Sequence, residues 1–199
     1  TAEKKDSQGL CFIGKISLPD FLQQKLQTKK GNIIEISDDF YMNESDSKTF
    51  VSESQKRKYS TSDGRIIGVH QGAHFFTVGQ RKGLCVGGTP EPLFVIDTDV
   101  DENIVYVGQG KEHPGLVRKA LKVKVEDIHW VRTDLKILKG EELEVMARIR
   151  YRQPLQDAKL ILKKEGLYVV FNKNQKAITS GQFVVWYLEN ELVGSGVIS

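Results

Sequence analysis

The stretch EVMARIRYRQ, residues 144–153, alternates along its length. Val145, Ala147, Ile149 and Tyr151 fall on one face of an extended strand, and Arg148, Arg150 and Arg152 on the other. Similar short apolar runs flank it: ALKVKVEDIHWV (120–131), AKLILKK (158–164), LYVVFN (167–172), QFVVWYL (182–188) and ELVGSGVIS (191–199). Short strands in series, without alternating helices, predict a small antiparallel barrel or sandwich and exclude a Rossmann-type nucleotide-binding sheet.

Upstream the pattern changes. PLFVIDTDVDENIVYVGQG (92–110) reads as a hairpin, two apolar runs joined by a DVDEN turn. RIIGVHQGAHFFTVGQRKGLCVGG (65–88) is punctuated by glycines at a density that marks tight turns, not a helix. SLPDFLQQKLQTKKG (17–31) carries Leu18, Phe21, Leu22 and Leu26 at helical spacing, with Ser17 and Asp20 as a capping pair and Gly31 as the C-terminal stop. GNIIEI (31–36) reads as a strand, and a polar excursion from about 38 to 63 follows it. Periodicity breaks again at KEHPGLVRKA (111–120). The expected fold is mainly β. A small central α+β domain with one helix spans residues 1–115, and a barrel domain spans 116–199.

Hydrophobic residues make up 39% of the 199 and charged ones 28%, as in an ordinary globular chain, and no apolar run approaches the length of a membrane span. Residue 1 is Thr, and TAEKKDSQ lacks the apolar region of a signal peptide, so the sequence reads as a piece of something longer. Two distant cysteines do not make a disulfide framework, which favours a reducing cytoplasm. A net charge of +3 neither demands nor excludes a polyanionic partner.

Several residues invite a chemical reading. Cys11, in GLCFIG, is either a small buried hydrophobe or a thiol on a glycine-bracketed loop free to move. Cys85, in GLCVGG, reads as structural. His70 and His74 stand four apart, at best on one face of a strand, and have no acidic or cysteine partners at metal-ligand spacing, so no metal site is expected. VGQRKGL is glycine-rich and basic but lacks the G-x-x-x-x-G-K-[ST] order of a phosphate loop. It is a tight turn presenting Arg81 and Lys82 either to a phosphate backbone or to solvent. The arginines of residues 148–152 are balanced either by carboxylates on neighbouring strands or by RNA. No serine–histidine–aspartate order or carboxylate pair suggests a hydrolase.

Taken in order, KDSQGLCFIG, GVHQGAHFFTVGQRKGL, VGQGKEHPGL, RIRYRQP and SGQFVVWY resemble the C-terminal portion of the bacterial tRNA-specific 2-thiouridylases. The resemblance covers all but the polar excursion. It implies an enzyme that adenylates the C2 oxygen of uridine 34 in tRNA with ATP, then replaces it with sulfur from a cysteine persulfide. Cys11 matches the family's persulfide-carrying cysteine, fed by a sulfur-donor protein. A transient disulfide to another cysteine, on the ATP-binding domain, releases the sulfur. That domain is not represented in this sequence, so the fragment alone is expected to be inactive. Arg150, Tyr151 and Gln182 match tRNA-contacting positions, and Arg81 and Lys82 match a shared GQRKG loop. The barrel should resemble those of translation factors. The long excursion departs from the family pattern, and Cys85 stands where glycine is usual. Two other classes remain open from the residues: a tRNA-binding module without chemistry of its own, and a thiol redox protein working through Cys11.

Overall fold

The computed structural model describes residues 27–42 and 49–199. Cys11 and most of the expected helix over 17–31 lie outside the described residues. The described end of that segment is not helical: residues 27–30 are irregular, and the Lys29 N–H donates to the Gln71 carbonyl at 3.0 Å. Gly31 is therefore no helix stop. It opens strand β1 (Gly31–Glu35), where a Cβ would meet the Asn103 carbonyl oxygen at 2.1 Å, so the glycine serves close backbone approach.

Strand β2 (Arg65–His70), β3 (Leu93–Asp99) and β4 (Ile104–Gln109) join β1 in a sheet of order β2-β1-β4-β3. The β3–β4 hairpin is antiparallel as the sequence predicts, but β1 runs parallel to β4. Both faces are covered. Ile33, Val95, Val105 and Val107 pack on one side with Ala73, Leu84 and Leu93. On the other side Ile34, Ile96, Ile104 and Tyr106 pack with Ile36, Tyr41 and Leu116.

The polar excursion is well packed where it is described. Phe40, Tyr41 and Tyr59 join the second apolar layer, and the Tyr41 and Tyr59 hydroxyls lie 2.7 Å apart. Helix α1 (Phe50–Ser54) starts at a capping box made by Thr49 and Ser52. Its Phe50 ring meets Tyr168 edge-on at 5.4 Å, and the Lys163 ammonium lies 5.7 Å from the Phe50 ring centre. Through α1 the insertion binds the sheet to the second body, a barrel.

That barrel contains β5 (Val117–Trp130), β6 (Glu142–Arg148), β7 (Gln156–Lys163), β8 (Gly166–Lys176), β9 (Phe183–Leu188) and β10 (Glu191–Ile198). It closes in the order β10-β5-β8-β7-β6-β9, with every neighbouring pair antiparallel. Closure leaves no open sheet edge. Inward residues alternate along each strand, so Val145 and Ala147 of β6 meet Leu160, Val169, Phe171, Val184 and Trp186 in one core. Trp130 packs edge-on against Trp186 at 5.6 Å between ring centres.

The alternation of EVMARIRYRQ stops sooner than expected. β6 ends at Arg148, the Ile149 N–H donates to the Gln153 side-chain oxygen at 3.2 Å, and the Gln153 N–H donates to the Arg150 carbonyl at 3.1 Å. These bonds turn the chain. Tyr151, expected on the inner face with Ile149, is 53% exposed, and Arg148 and Arg150 take different partners instead of lining one strand face.

Candidate nucleic-acid interface

Arg150 reaches across the end of the barrel. Its Nη2 donates to the carbonyls of Lys176 (3.1 Å) and Ala177 (2.9 Å), just where β8 ends. Ala177 has φ 51, a left-handed conformation that turns the chain sharply there. Arg150 thus ties the β6–β7 turn to the β8–β9 loop with charge-assisted bonds. Arg148 goes elsewhere, between two rings: its guanidinium lies 5.6 Å from the Tyr151 ring centre and 5.3 Å from that of Tyr187. It donates to the Tyr187 hydroxyl at 2.9 Å and to the Tyr151 carbonyl at 3.0 Å. The Tyr151 ring is left exposed beside a cation, a surface suited to stacking a base.

Gln182 sits in the same β8–β9 loop. Its backbone N–H donates to the Thr179 carbonyl at 3.3 Å, and its carbonyl accepts from the Ile198 N–H at 2.8 Å. Its Oε1 is buried without a hydrogen-bond partner in the protein. A buried amide oxygen left unpaired is costly, and a donor from a bound molecule would satisfy it.

Arg81 and Lys82 are exposed in the GQRKG turn of the other body. The turn is pinned from within: the Gly79 N–H donates to the Val95 carbonyl (2.7 Å), and the Gln80 N–H to the Thr77 carbonyl (2.9 Å). Gln80 Nε2 donates to the Lys82 carbonyl at 2.8 Å. These bonds fix the shape of the turn from inside and leave the Arg81 and Lys82 side chains outward. The turn does abut the barrel, since a methyl group on Gly79 would come within 2.8 Å of the Ala177 Cβ. Of the residues singled out in the sequence, Arg150, Tyr151, Gln182, Arg81 and Lys82 therefore belong to loops that meet around Ala177.

The remaining candidates resolve differently. The chain turns at Gly72, so His70 ends β2 while His74 lies in the short 3-10 turn Ala73–Phe75, and the two share no strand face. His70 Nδ1 accepts from the Gly72 N–H at 2.9 Å, and burial pulls the His70 pKa down, which keeps the ring neutral. Among the described residues no group of three or more His, Cys, Asp or Glu is placed to hold a metal ion. No helix among them is long and apolar enough to cross a membrane. Cys85 is an exposed free thiol with φ 53, a backbone conformation that favours glycine.

Arg118 was missed by the sequence reading. It lies two residues before ALKVKVEDIHWV, in what looked like a boundary, yet β5 already begins at Val117. Its guanidinium donates to the Ser54 carbonyl at the end of α1 (3.1 Å) and to the Ile178 carbonyl of the β8–β9 loop (2.9 Å). No periodicity marks such a residue, because its partners are backbone oxygens far away in sequence.

Comparison with known sequences agrees with this layout. Residues 120–198 match the family described as aminomethyltransferase beta-barrel domain, and residues 48–109 match the tRNA methyl transferase PRC-barrel domain. The tRNA-specific 2-thiouridylase MnmA of Christiangramia forsetii is 59% identical over 206 residues, covering 100% of this chain and 52% of the relative. The protein of the same name from Flavobacterium johnsoniae is 61% identical over the same shares, and that of Bacillus subtilis is 37% identical over 100% of this chain and 46% of its own length. The chain spans about half the length of the curated relatives it matches, and it corresponds to their C-terminal part. With these identities over its whole length, the chain belongs to the tRNA-specific 2-thiouridylase family through its match to the C-terminal part of those relatives.

Proposed function

We propose that this chain is the tRNA-gripping and sulfur-carrying part of a tRNA sulfurtransferase that makes 2-thiouridine at wobble position 34, acting in the cytoplasm. The observation that carries the RNA half of this reading is the meeting of loops around Ala177. One loop is tied there by Arg150 and shows an exposed Tyr151, one buries the unpaired Gln182 oxygen, and one presents Arg81 and Lys82. Cations that position phosphates, a ring for stacking and an unsatisfied polar atom are what single-stranded RNA at an anticodon requires. The sulfur half rests on the match of GLCFIG to the family motif. In it, Cys11 receives a persulfide from a sulfur-carrier protein. The terminal sulfur bonds to C2 of the activated uridine as the C2–O bond to AMP breaks. A second cysteine then attacks the Cys11 sulfur, forming a disulfide and leaving the sulfur on the base. Activation with ATP is supplied from outside this chain, and the chain alone is inactive.

The test is the 2-thiouridine content of tRNA, by mass spectrometry, in cells whose only full-length copy carries Cys11→Ser or, separately, Cys85→Ser. Loss with the first and retention with the second is expected. Retention in both would reduce the chain to an RNA-binding module with a structural cysteine.

A further inference from the structure

Between the four-stranded sheet and the barrel lies a cleft of about 310 Å³. It is lined by Lys56 and Arg57 beyond α1, Asp97 and Thr98 of β3, Arg118 of β5 and Ser180 of the β8–β9 loop. Three cations therefore stand among these residues against one carboxylate. Lys56 Nζ lies 2.6 Å from Asp97 Oδ1, which also accepts the Thr98 N–H at 2.7 Å. More than half of the Lys56 side-chain surface is open to solvent. Burial lowers the Arg118 pKa, and the neighbouring charge of Arg57 lowers it further. Both guanidinium groups are fixed at the cleft, Arg57 by the Pro114 carbonyl (3.2 Å) and the Tyr41 ring beneath it and Arg118 by the Ser54 and Ile178 carbonyls, and like charges held on one lining favour an anion. Thr98 and Ser180 are polar residues of the same lining.

The cleft is continuous with the interface already described. Ala177, at its edge, is the residue that Arg150 holds, and Thr77 and Val78 on its wall lead into the GQRKG turn. We propose that this cleft binds a phosphodiester group of the bound RNA, so that the polar insertion, through Lys56 and Arg57, is part of the RNA-binding surface. The inference rests on the RNA reading above and extends it to Lys56 and Arg57, which fall inside the PRC-barrel match over residues 48–109. The insertion both fastens the two bodies and supplies charge where they meet.

The experiment measures tRNA affinity of the full-length protein against salt concentration for wild type, Lys56→Gln, Asp97→Asn and Arg150→Ala. Lys56→Gln should weaken binding roughly 3- to 10-fold at low salt and reduce the slope of log K against log salt by about one. Asp97→Asn keeps the oxygen that accepts the Thr98 N–H but releases the lysine, and should strengthen binding roughly 2- to 5-fold. A gain of affinity cannot arise from misfolding, which protects the test from a trivial loss. Unchanged affinity and slope in both cleft variants, with Arg150→Ala still weakening binding, overturns the cleft and leaves the proposed function standing. Absence of salt-dependent tRNA binding in the wild type overturns both. Inorganic phosphate, titrated by calorimetry, separates the other source of the same chemistry. Sub-millimolar phosphate binding that Lys56→Gln abolishes, with tRNA affinity unchanged, would assign the cleft to a free phosphate compound and overturn the proposal.

Discussion

The barrel and the four-stranded sheet are held together by different means. In the barrel, six strands close on a single apolar core, and the one buried polar residue among its described strands is Gln175. In the sheet and its surroundings Glu35, Ser54, His70, Asp97, Asn103 and His113 are all buried, and most bond to backbone or side chains distant in sequence. Asn103 is typical: its Oδ1 accepts the Ala73 N–H at 2.9 Å while its Nδ2 donates to the Lys29 carbonyl at 2.9 Å. His113 Nδ1 accepts the Gly115 N–H, and its Nε2 lies 3.1 Å from both the Ile36 carbonyl and an Asp38 carboxylate oxygen. The barrel is thus sensitive to lost volume and the sheet to lost hydrogen bonds and to pH.

Removing volume from the barrel should give the largest effect. Phe171 is fully buried, and Phe171→Ala should cost about 3–5 kcal/mol in urea unfolding at neutral pH, through lost transfer energy and the cavity left behind. A cost below about 1 kcal/mol would mean that the barrel relaxes around the hole, and the contrast with the sheet would fail.

Acid should act on the sheet instead. Burial pulls the pKa of both His70 and His113 down, against the raising influence of Asp38 on His113. Above about pH 6.5 both rings are neutral in the folded and unfolded chain alike, and they contribute no pH dependence. As pH falls below that value the unfolded chain takes up protons that the folded one refuses, so stability declines, at up to about 1.4 kcal/mol per pH unit for each histidine. The decline ends once pH passes the folded pKa. Hydrogen exchange at pH 7.5 and 5.5 should show the sheet amides losing protection while barrel amides hold theirs. Equal loss in both bodies would break the comparison.

The same contrast explains what could be read from the sequence. Alternation announced the barrel strands because each buries one apolar face, and the DVDEN turn announced the β3–β4 hairpin. The parallel pairing of β1 with β4 had no local signal, since the partners are far apart in the chain. The insertion looked like solvent-exposed loop because Ser, Asp, Glu and Lys dominate it, while the few residues that anchor it, Phe40, Tyr41, Phe50 and Tyr59, are scattered. The candidate site was legible only through motif resemblance. Periodicity placed Arg148, Arg150 and Arg152 on one strand face, but the bonds of Gln153 to Ile149 and Arg150 end the strand, and Arg148 and Arg150 reach different partners. Arg118 and Lys56 had no signal because their roles depend on how the two bodies meet.

The smallest expected effect sharpens the reading of Cys85. Its left-handed backbone costs a non-glycine residue about 1–2 kcal/mol, part of which a glycine returns as lost chain entropy. Cys85→Gly should therefore raise stability by up to about 1 kcal/mol, read as a rise in melting temperature by calorimetry. A fall in stability would give the thiol a packing role that its exposure does not suggest.

The edge-on pair of Trp130 and Trp186 has a consequence for spectroscopy. These are the two tryptophans of the sequence, and both belong to barrel strands. Excited near 295 nm, the protein emits only from its barrel, while a coupled indole pair gives that body its own circular-dichroism bands. Tyr41, Tyr59 and Tyr106, packed with the sheet's second apolar layer, absorb at shorter wavelength. Tryptophan light therefore follows the barrel selectively and without an added label, whereas tyrosine absorption is shared, because Tyr151, Tyr168 and Tyr187 belong to the barrel.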